Sequence, residues 1–450
     1  MDVVSTLVDL EPGLPTAAAP PARRDVELAP VRVGDPVHAP SVLCRLAQLF
    51  AAPLLFAVVV QNIANFAFHA VVGRVLPADA YGALGSVLAI MVLLSVPLTA
   101  LQASASASVS SGWNSATVRR TLVRVALASA VVGSLVLLVA HPIQSYFRLA
   151  SAADAAMLAP FVAVSIVLAI GRGLLLGDRR VRATALTYLT GTAARFGLGV
   201  ALVLPFGVTG ALLGTLLGET VALVTALVPA LRRRGRSPQE RGLELSQVGL
   251  SGLAVTGLFL FSTVDLLLSR HYLNGDASGV YTAAATIGKT VLALPAAVIG
   301  VYFPKLITAW RAGDLRVLRQ AVSVVCGLAL LGALVVAVAP GLLLHLLYGS
   351  GFATAAPLVR MLAIIAGLTS VVSVLTYAGL ARRGFSIIVP WLGALLEIAL
   401  IARRHATAMD VAHASLMALI PTLVVMAAWE GTAWWNAGHV RPIGRHERLA

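Results

Sequence analysis

The sequence predicts an all-α, polytopic membrane protein with about twelve transmembrane helices in two parallel six-helix lobes. Composition, the length of the apolar segments and an internal repeat support this prediction. Of the 450 residues, 59% are hydrophobic and only 12% are charged. A membrane interior offers no water to backbone groups, so a spanning chain forms helices or a closed barrel. Continuous apolar runs of about 20 residues favour helices over alternating strands.

Twelve apolar segments follow one another along the chain, and the eleventh is the shortest. They lie at residues 46–72, 81–105, 122–142, 157–177, 184–204, 209–231, 246–269, 277–302, 319–339, 357–380, 385–402 and 413–435. This spacing predicts five parts: a disordered cytoplasmic tail (1–45), an N-lobe of helices 1–6 (46–231), a basic cytoplasmic linker (232–245), a C-lobe of helices 7–12 (246–435) and a second cytoplasmic tail (436–450).

The positive charge is unevenly distributed between the two predicted sides of the membrane. Of the 33 lysine and arginine residues, 24 fall on the side of the two termini and 5 on the other side. Because cytoplasmic loops carry an excess of lysine and arginine, both termini are predicted to be cytoplasmic, in a plasma (inner) membrane. The net charge of +14 is thereby explained by topology, and nucleic acid is not expected as a partner.

An internal repeat relates the two predicted lobes. Asp79 and Asp276 stand 197 positions apart, as do Gly82 and Gly279, each pair in a turn that follows an odd-numbered helix. The arginine pairs after the fourth and tenth helices, Arg179-Arg180 and Arg382-Arg383, are 203 positions apart. Such an offset predicts two homologous halves. Since each half has six helices, both enter the membrane from the same side, and a substrate site is expected between them near the midplane.

Several segments resemble polysaccharide-unit flippases of the multidrug/oligosaccharidyl-lipid/polysaccharide exporter superfamily. In chain order they are Arg74–Gly82, Asp265, Gly279–Lys289, Phe303-Pro304 and Leu346–Arg360. The lipid II branch of that superfamily usually has fourteen helices, and this chain shows twelve. The resemblance implies transport of a polyprenyl-pyrophosphate-linked oligosaccharide from the inner to the outer leaflet, with membrane lipids and glycan-assembly enzymes as partners.

Ionisable residues within the predicted helices are the candidate site. Lys289 lies about 18 Å into the eighth helix, close to the midplane, and Arg195 and Glu219 fall near the middle of the fifth and sixth. Asp265 and Arg360 lie towards the outer face. An unpaired charge at this depth costs a few kcal/mol or more, so these groups are expected to face a wet cavity or one another.

Two interpretations of these charges remain open. In the functional one, Arg195 and Lys289 line a central cavity and bind the pyrophosphate, while Glu219 and Asp265 balance the charge or titrate. In the structural one, Arg195–Glu219 and Asp265–Lys289 are ion pairs between packed helices.

Other polar residues lie in the predicted helices. Asn62, Asn65 and His69 share one face of the first helix, where they would bind sugar hydroxyls or neighbouring helices. Arg172 is placed near an inner helix end, where its side chain can reach the interface. Glu397, in the eleventh helix, has no partner that the sequence identifies.

Enzymatic functions are excluded because the sequence lacks the residue patterns that catalysis requires. We find no paired carboxylates in a loop context, no metal-ligand cluster and no nucleophile arrangement, so neither enzymatic activity nor a cofactor is expected. Two alternatives to the flippase are a cation-coupled small-molecule or drug exporter of the same superfamily and a membrane scaffold without transport activity. Few aromatic residues near two midplane cations argue against a site for organic cations.

Overall fold

A computed structural model describes residues 42–110, 115–232 and 246–439, and all regular structure in these ranges is helical. Most of the predicted tails and linker therefore lie outside the described residues, and the lobe boundaries remain a prediction. Residues from Ala47 onward form one compact unit. Of the preceding unit, Met1–Leu46, the structure describes only the first residues of a helix.

The α-helices of the described ranges are numbered here in chain order. They are α1 (Val42–Val75), α2 (Ala78–Ser110), α3 (Ser115–Leu138), α4 (Ala140–Tyr146), α5 (Ala152–Ala156), α6 (Leu158–Gly177), α7 (Val181–Leu231), α8 (Ser246–Phe261), α9 (Val264–Tyr272), α10 (Gly275–Gly288), α11 (Ala293–Ala312), α12 (Leu315–Val338), α13 (Pro340–Tyr348), α14 (Ala356–Ala381), α15 (Val389–Arg403) and α16 (Ala408–His439). Helices α1–α7 are called the N-terminal half below, and α8–α16 the C-terminal half.

The helices account for about the predicted number of membrane spans. In the described ranges, ten helical segments are long and apolar enough to cross a membrane, and the bent pair α8–α9 makes an eleventh. Helix α7 counts once in this total, although its 51 residues would extend about 77 Å, more than twice the apolar core of a bilayer. Dividing α7 at its break gives twelve spans, as the sequence predicts.

The break in α7 lies at Gly207, which has φ 57° and ψ −132°. A residue with a side chain rarely adopts this backbone conformation, so glycine is required here. The two arms of α7 fold back on each other as a hairpin: a Cβ at Gly218 would lie 2.7 Å from Arg195 Cβ, and one at Gly191 would lie 2.8 Å from Ala222 Cβ. These glycines let the fifth and sixth spans approach closely.

Two spans predicted as continuous helices are broken in the structure. Helices α8 and α9 meet at an angle of 42° at Ser262 and Thr263. The amide of Leu266 donates to Thr263 O, so the helical ladder does not engage the carbonyl oxygen of Ser262. A 3₁₀ turn, Lys289–Leu292, separates α10 from α11. Helix breaks within a membrane leave backbone carbonyls that other polar groups must satisfy.

The internal repeat is visible in equivalent turns of the two halves. After α6, Arg179 has φ 57°, and the amide of Arg180 donates to Leu175 O at 2.8 Å. After α14, Arg383 has φ 56°, and the amide of Gly384 donates to Gly379 O at 2.9 Å. Both turns end their helix by the Schellman geometry.

The two halves meet along helices α2 and α10, which are equivalent in the repeat. A Cβ placed on Gly82 of α2 would lie only 2.8 Å from the backbone nitrogen of Gly279 of α10. The two glycines are 197 positions apart in the sequence and touch in the structure. The absence of side chains at both positions lets the backbones of the two halves come into contact here.

Candidate functional site

A cavity of about 340 Å³ lies in the N-terminal half, between helices α1, α2, α6 and α7. More of its wall is apolar than polar, and we call it the polar cavity below for the charged and amide side chains that it contains. Phe259 of α8 completes its lining from the C-terminal half. Its volume is in the range of small-ligand sites. The hydrogen-bonding side chains that line it include Gln61, Asn65, Gln102, Arg172, Arg195 and Glu219.

Arg195 is the central cation of this cavity. Its Nη1 donates a 3.0 Å hydrogen bond to Asn65 Oδ1, and its guanidinium carbon lies 4.9 Å from the centre of the Phe68 ring. Its Nε is buried and has no hydrogen-bond partner among the described residues. The aromatic face and the single amide contact hold the guanidinium in place and leave donors free for an anion.

Glu219 lines the same cavity from the opposite arm of the α7 hairpin. No ion pair within 4.0 Å joins it to Arg195, although the structure describes both side chains. Gly218, next to Glu219, packs directly on Arg195 and so brings the two arms together at this level. The structure thus brings the charges into one cavity without the direct pair that the structural interpretation expects.

Arg172 of α6 is a second cation in the cavity, whereas the sequence predicts that its side chain reaches the membrane interface. Its Nε donates a 3.0 Å hydrogen bond to Thr187 Oγ1, and its guanidinium carbon lies 3.9 Å from the centre of the Tyr188 ring. Both partners belong to α7, which packs against α6. Thr187 and Tyr188 precede Arg195 by about two helical turns of the same helix, and this spacing is the sequence signal for the role of Arg172.

Lys289 and Asp265 lie apart from this cavity, in the core of the C-terminal half. Lys289 Nζ lies 2.6 Å from Asp265 Oδ1 and donates to Ser262 O at 2.7 Å. The hydroxyl of Tyr281 donates to Asp265 Oδ2 at 2.9 Å. These groups surround a space of about 10 Å³, about the volume of one water molecule, which Glu397 also lines.

Asn62 and Arg360 are not part of either site. Asn62 is exposed and does not line the polar cavity, whereas Asn65 does. Arg360 is exposed, and its Nε donates to Ala337 O at the end of α12 at 3.2 Å. His69, on the same face of α1 as Asn65, lies 3.1 Å from the Tyr81 hydroxyl.

At one end of the molecule two arginines interlock the halves. Arg270 of α9 is 3% exposed; its Nη1 lies 2.6 Å from Asp79 Oδ1 and donates to Ser278 Oγ at 3.0 Å. Its Nη2 donates to Arg148 O at 2.8 Å, and Arg148 Nη2 donates in return to Arg270 O at 2.7 Å. Asp79, Arg148, Arg270 and Ser278 are called the interlock below.

Buried tyrosines form a second contact between the halves. Tyr81 of α2 is fully buried, and its hydroxyl lies 3.1 Å from the hydroxyl of Tyr348 at the end of α13. Next to it, Gly82 and Gly279 are in backbone contact. The interlock, the tyrosine pair and the glycine contact together close the space between the halves at this end.

No protein-family model matches the sequence, and no curated protein does so. Several solved structures are similar to this chain. A multidrug resistance MATE family transporter of the MOP superfamily, in its inward-facing conformation, matches with a TM-score of 0.70 and 15% identity over 85% of this chain and 96% of that chain. The lipid II flippase MurJ, in an inward closed conformation, matches with a TM-score of 0.70 and 12% identity over 87% and 90%. An outward-facing MATE family transporter gives a TM-score of 0.60 and 16% identity over 87% and 95%.

At these identities the similarity establishes a shared fold. The chain is a multi-pass membrane protein with the helical fold of MATE family transporters and of MurJ. Those neighbours are transporters and a flippase, and none of them is described as an enzyme.

Proposed function

We propose that this protein is a flippase that moves a polyprenyl-pyrophosphate-linked oligosaccharide from the inner to the outer leaflet of the plasma membrane by alternating access. Its termini are cytoplasmic in this proposal, and the enzymes that assemble and polymerise the glycan are its partners. The fold shared with MurJ, described as a lipid II flippase, supports the substrate class.

The observation that carries the proposal is the state of Arg195. Its guanidinium lines a cavity of about 340 Å³, and its buried Nε lacks a hydrogen-bond acceptor among the described residues. The oxygens of a pyrophosphate would supply it, since a guanidinium binds phosphate oxygens through two parallel hydrogen bonds. Gln61, Asn65 and Gln102 offer amides to sugar hydroxyls in the same cavity.

The pair of cations that binds the pyrophosphate differs from the pair that the sequence indicated. Lys289 is engaged by Asp265 and Ser262, so its ammonium is committed within the C-terminal half. Arg172 lines the cavity with Arg195 and is held by Thr187 and Tyr188. We therefore assign the second phosphate contact to Arg172.

The interlock serves as the outer gate in this proposal. It lies at the end of the molecule that the distribution of lysine and arginine places outside, and it closes that end between the halves. The headgroup would enter from the cytoplasmic side while the lipid tail stays in the bilayer. Separation of Arg270 from Asp79 and Arg148 would then open the outer side.

Leaflet-resolved accessibility of a polyprenyl-pyrophosphate-linked oligosaccharide in proteoliposomes tests the proposal. We expect Arg195→Ala to lower the rate of flipping at least tenfold, because removal of a charged phosphate contact costs about 1.5–3 kcal/mol. Arg172→Gln should have a smaller effect of the same sign. Arg404→Gln, which changes an exposed arginine outside the cavity, is the matched control. Full activity of folded Arg195→Ala would contradict the proposal.

Glu219 gives one reason to keep a cation-coupled exporter of small molecules or drugs as a second candidate. Its carboxylate lines the cavity without an ion pair to Arg195 within 4.0 Å and could bind an organic cation. The two candidates differ in the sign of one substitution. Glu219→Gln would preserve or increase flipping of an anionic pyrophosphate, whereas it would abolish export of a cation. Transport of neither class by the folded protein would favour the scaffold.

A further inference from the structure

Glu397 is a buried acid that the proposed binding of the headgroup does not use. It lies on α15, is 2% exposed, and its Oε2 has no hydrogen-bond partner among the described residues. A carboxyl group in such a place is costly to keep ionised unless a cation compensates its charge.

The nearest cation is already engaged by another carboxylate. Lys289 Nζ lies 2.6 Å from Asp265 Oδ1. The structure describes both Lys289 and Glu397, and no ion pair within 4.0 Å joins these two side chains. One ammonium and two carboxyls leave one negative charge in excess around a space of about 10 Å³.

The other groups around Glu397 do not supply that charge. Ser262 from the end of α8, Thr369 from α14 and Ser415 from α16 line the same space and are neutral. Tyr281 of α10 donates its hydroxyl to Asp265 at 2.9 Å. Among the described residues, Asp265 and Lys289 are thus the only other charged side chains that line the space.

The space is too small for a hydrated metal ion. Its volume of about 10 Å³ is about that of one water molecule. The described residues also contain no group of three or more acidic, cysteine or histidine side chains at metal-binding spacing. A proton is the cation that a carboxyl group can hold without further ligands.

We propose that Glu397 is a proton-binding site, and that its proton keeps the Asp265–Lys289 pair intact in this conformation. The proposal deepens the proposed transport function, on which its role in coupling rests. When Glu397 carries a proton, the ammonium has one anionic partner, Asp265. When the proton leaves, the Glu397 carboxylate competes with Asp265 for the same ammonium.

Lys289 is placed so that this competition would move the backbone. It begins the 3₁₀ turn between α10 and α11, and it also donates to the carbonyl oxygen of Ser262 at the bend between α8 and α9. The ammonium thus joins two broken spans. Its transfer from Asp265 towards Glu397 would shift α10 and α11 relative to α8 and α9, next to the contact of α10 with α2.

Infrared difference spectroscopy of the full chain in liposomes tests the proton site without a transport measurement. A protonated carboxylic acid has a carbonyl stretch that ionised carboxylates lack and that moves on exchange into D₂O. At neutral pH, Glu397→Gln should remove one such group. Glu219→Gln, in the N-terminal half, is the matched control, and its spectrum should keep the band assigned to Glu397.

Two variants of the neighbours sharpen the assignment. Asp265→Asn frees the Lys289 ammonium for Glu397, so the protonated band of Glu397 should be lost. Lys289→Met removes the ammonium, so the band should remain and Asp265 should add to it. If Glu397→Gln does not fold, Glu397→Asp tests the same site by a displaced band.

A spectrum of Glu397→Gln identical to that of the wild type would overturn the proposal. Loss of the protonated carboxyl band of the wild type when sodium replaces potassium would also overturn it, because the site would then bind sodium. Coupling is measured separately: an imposed pH gradient should change the flipping rate of the wild type and leave that of Glu397→Gln unchanged. A proton band without flipping of the oligosaccharide would retain the proton site and refute the proposed substrate.

Discussion

The polar cavity of the N-terminal half and the buried cluster of the C-terminal half contain the same kinds of group in opposite states. Each combines a cation with a carboxylate from a neighbouring span. In the first, Arg195 and Glu219 line about 340 Å³ and form no direct pair. In the second, Lys289 and Asp265 are 2.6 Å apart around about 10 Å³.

The difference arises from how the backbone is interrupted. In α7 the break at Gly207 forms a hairpin that leaves Arg195 within a continuous arm, and its guanidinium contacts Asn65 and Phe68. At Lys289 the helix itself changes to a 3₁₀ turn, and the ammonium donates to the carbonyl of Ser262, which the helical ladder does not engage. In this protein the cation beside the interrupted backbone binds a backbone carbonyl and a carboxylate, whereas the cation within a continuous arm binds neither among the described residues.

The largest expected effect tests whether the Lys289–Asp265 pair is structural. Lys289→Met should lower the free energy of unfolding by about 3–5 kcal/mol, because it leaves Asp265 buried without its partner. The double variant Asp265→Asn with Lys289→Met should recover most of the loss, since both charges are then absent. Chemical denaturation in detergent measures these free energies. Arg172→Met, in the open cavity, should cost less than half as much.

An equal loss of stability for Lys289→Met and Arg172→Met would remove the distinction between the two regions. So would a double variant that is no more stable than Lys289→Met. Either result would mean that the space around Lys289 is as well hydrated as the cavity around Arg195.

A middle-sized effect is expected where the α7 hairpin positions Arg195. A Cβ at Gly218 would lie 2.7 Å from Arg195 Cβ and 2.8 Å from the carbonyl oxygen of Gly191. Because the second contact is with backbone, Gly218→Ala should cost about 1–3 kcal/mol of stability and also lower flipping. Gly327→Ala, in α12 with nothing within 4 Å, should be neutral or stabilising by up to about 1 kcal/mol. Equal behaviour of the two variants would show that the arms of α7 do not hold Arg195.

The fold could be predicted from the sequence because its signals are long and repeated. Apolar segments predict the spans, and the arginine pairs after the fourth and tenth spans predict turns that share one Schellman geometry. The breaks at Ser262 and Lys289 could not be predicted, since each lies within an apolar run that fits a continuous helix. Ser262 O accepts from Lys289, 27 positions later in the chain, and the sequence alone does not reveal this contact.

The candidate site could be predicted only in part. Depth in the membrane identifies Arg195, Glu219, Asp265 and Lys289, but it does not show which of them share a cavity. Arg172 lies closer to a helix end, so its depth gave no reason to place it beside Arg195. Glu397 lacked a partner in the sequence, and its Oε2 lacks one among the described residues.

The smallest expected effect concerns Arg360, a charge that belongs to neither region. Its side chain is exposed, and its Nε donates to Ala337 O at the carboxyl end of α12, where a cation interacts favourably with the helix dipole. Arg360→Gln removes this contact and leaves the polar cavity and the Lys289 cluster unchanged. We therefore expect flipping within twofold of the wild type, measured by leaflet-resolved accessibility in proteoliposomes. A tenfold loss would place an anion-binding site at the end of α12, because the structure gives Arg360 no contact with Arg195, Arg172 or Lys289 through which it could act.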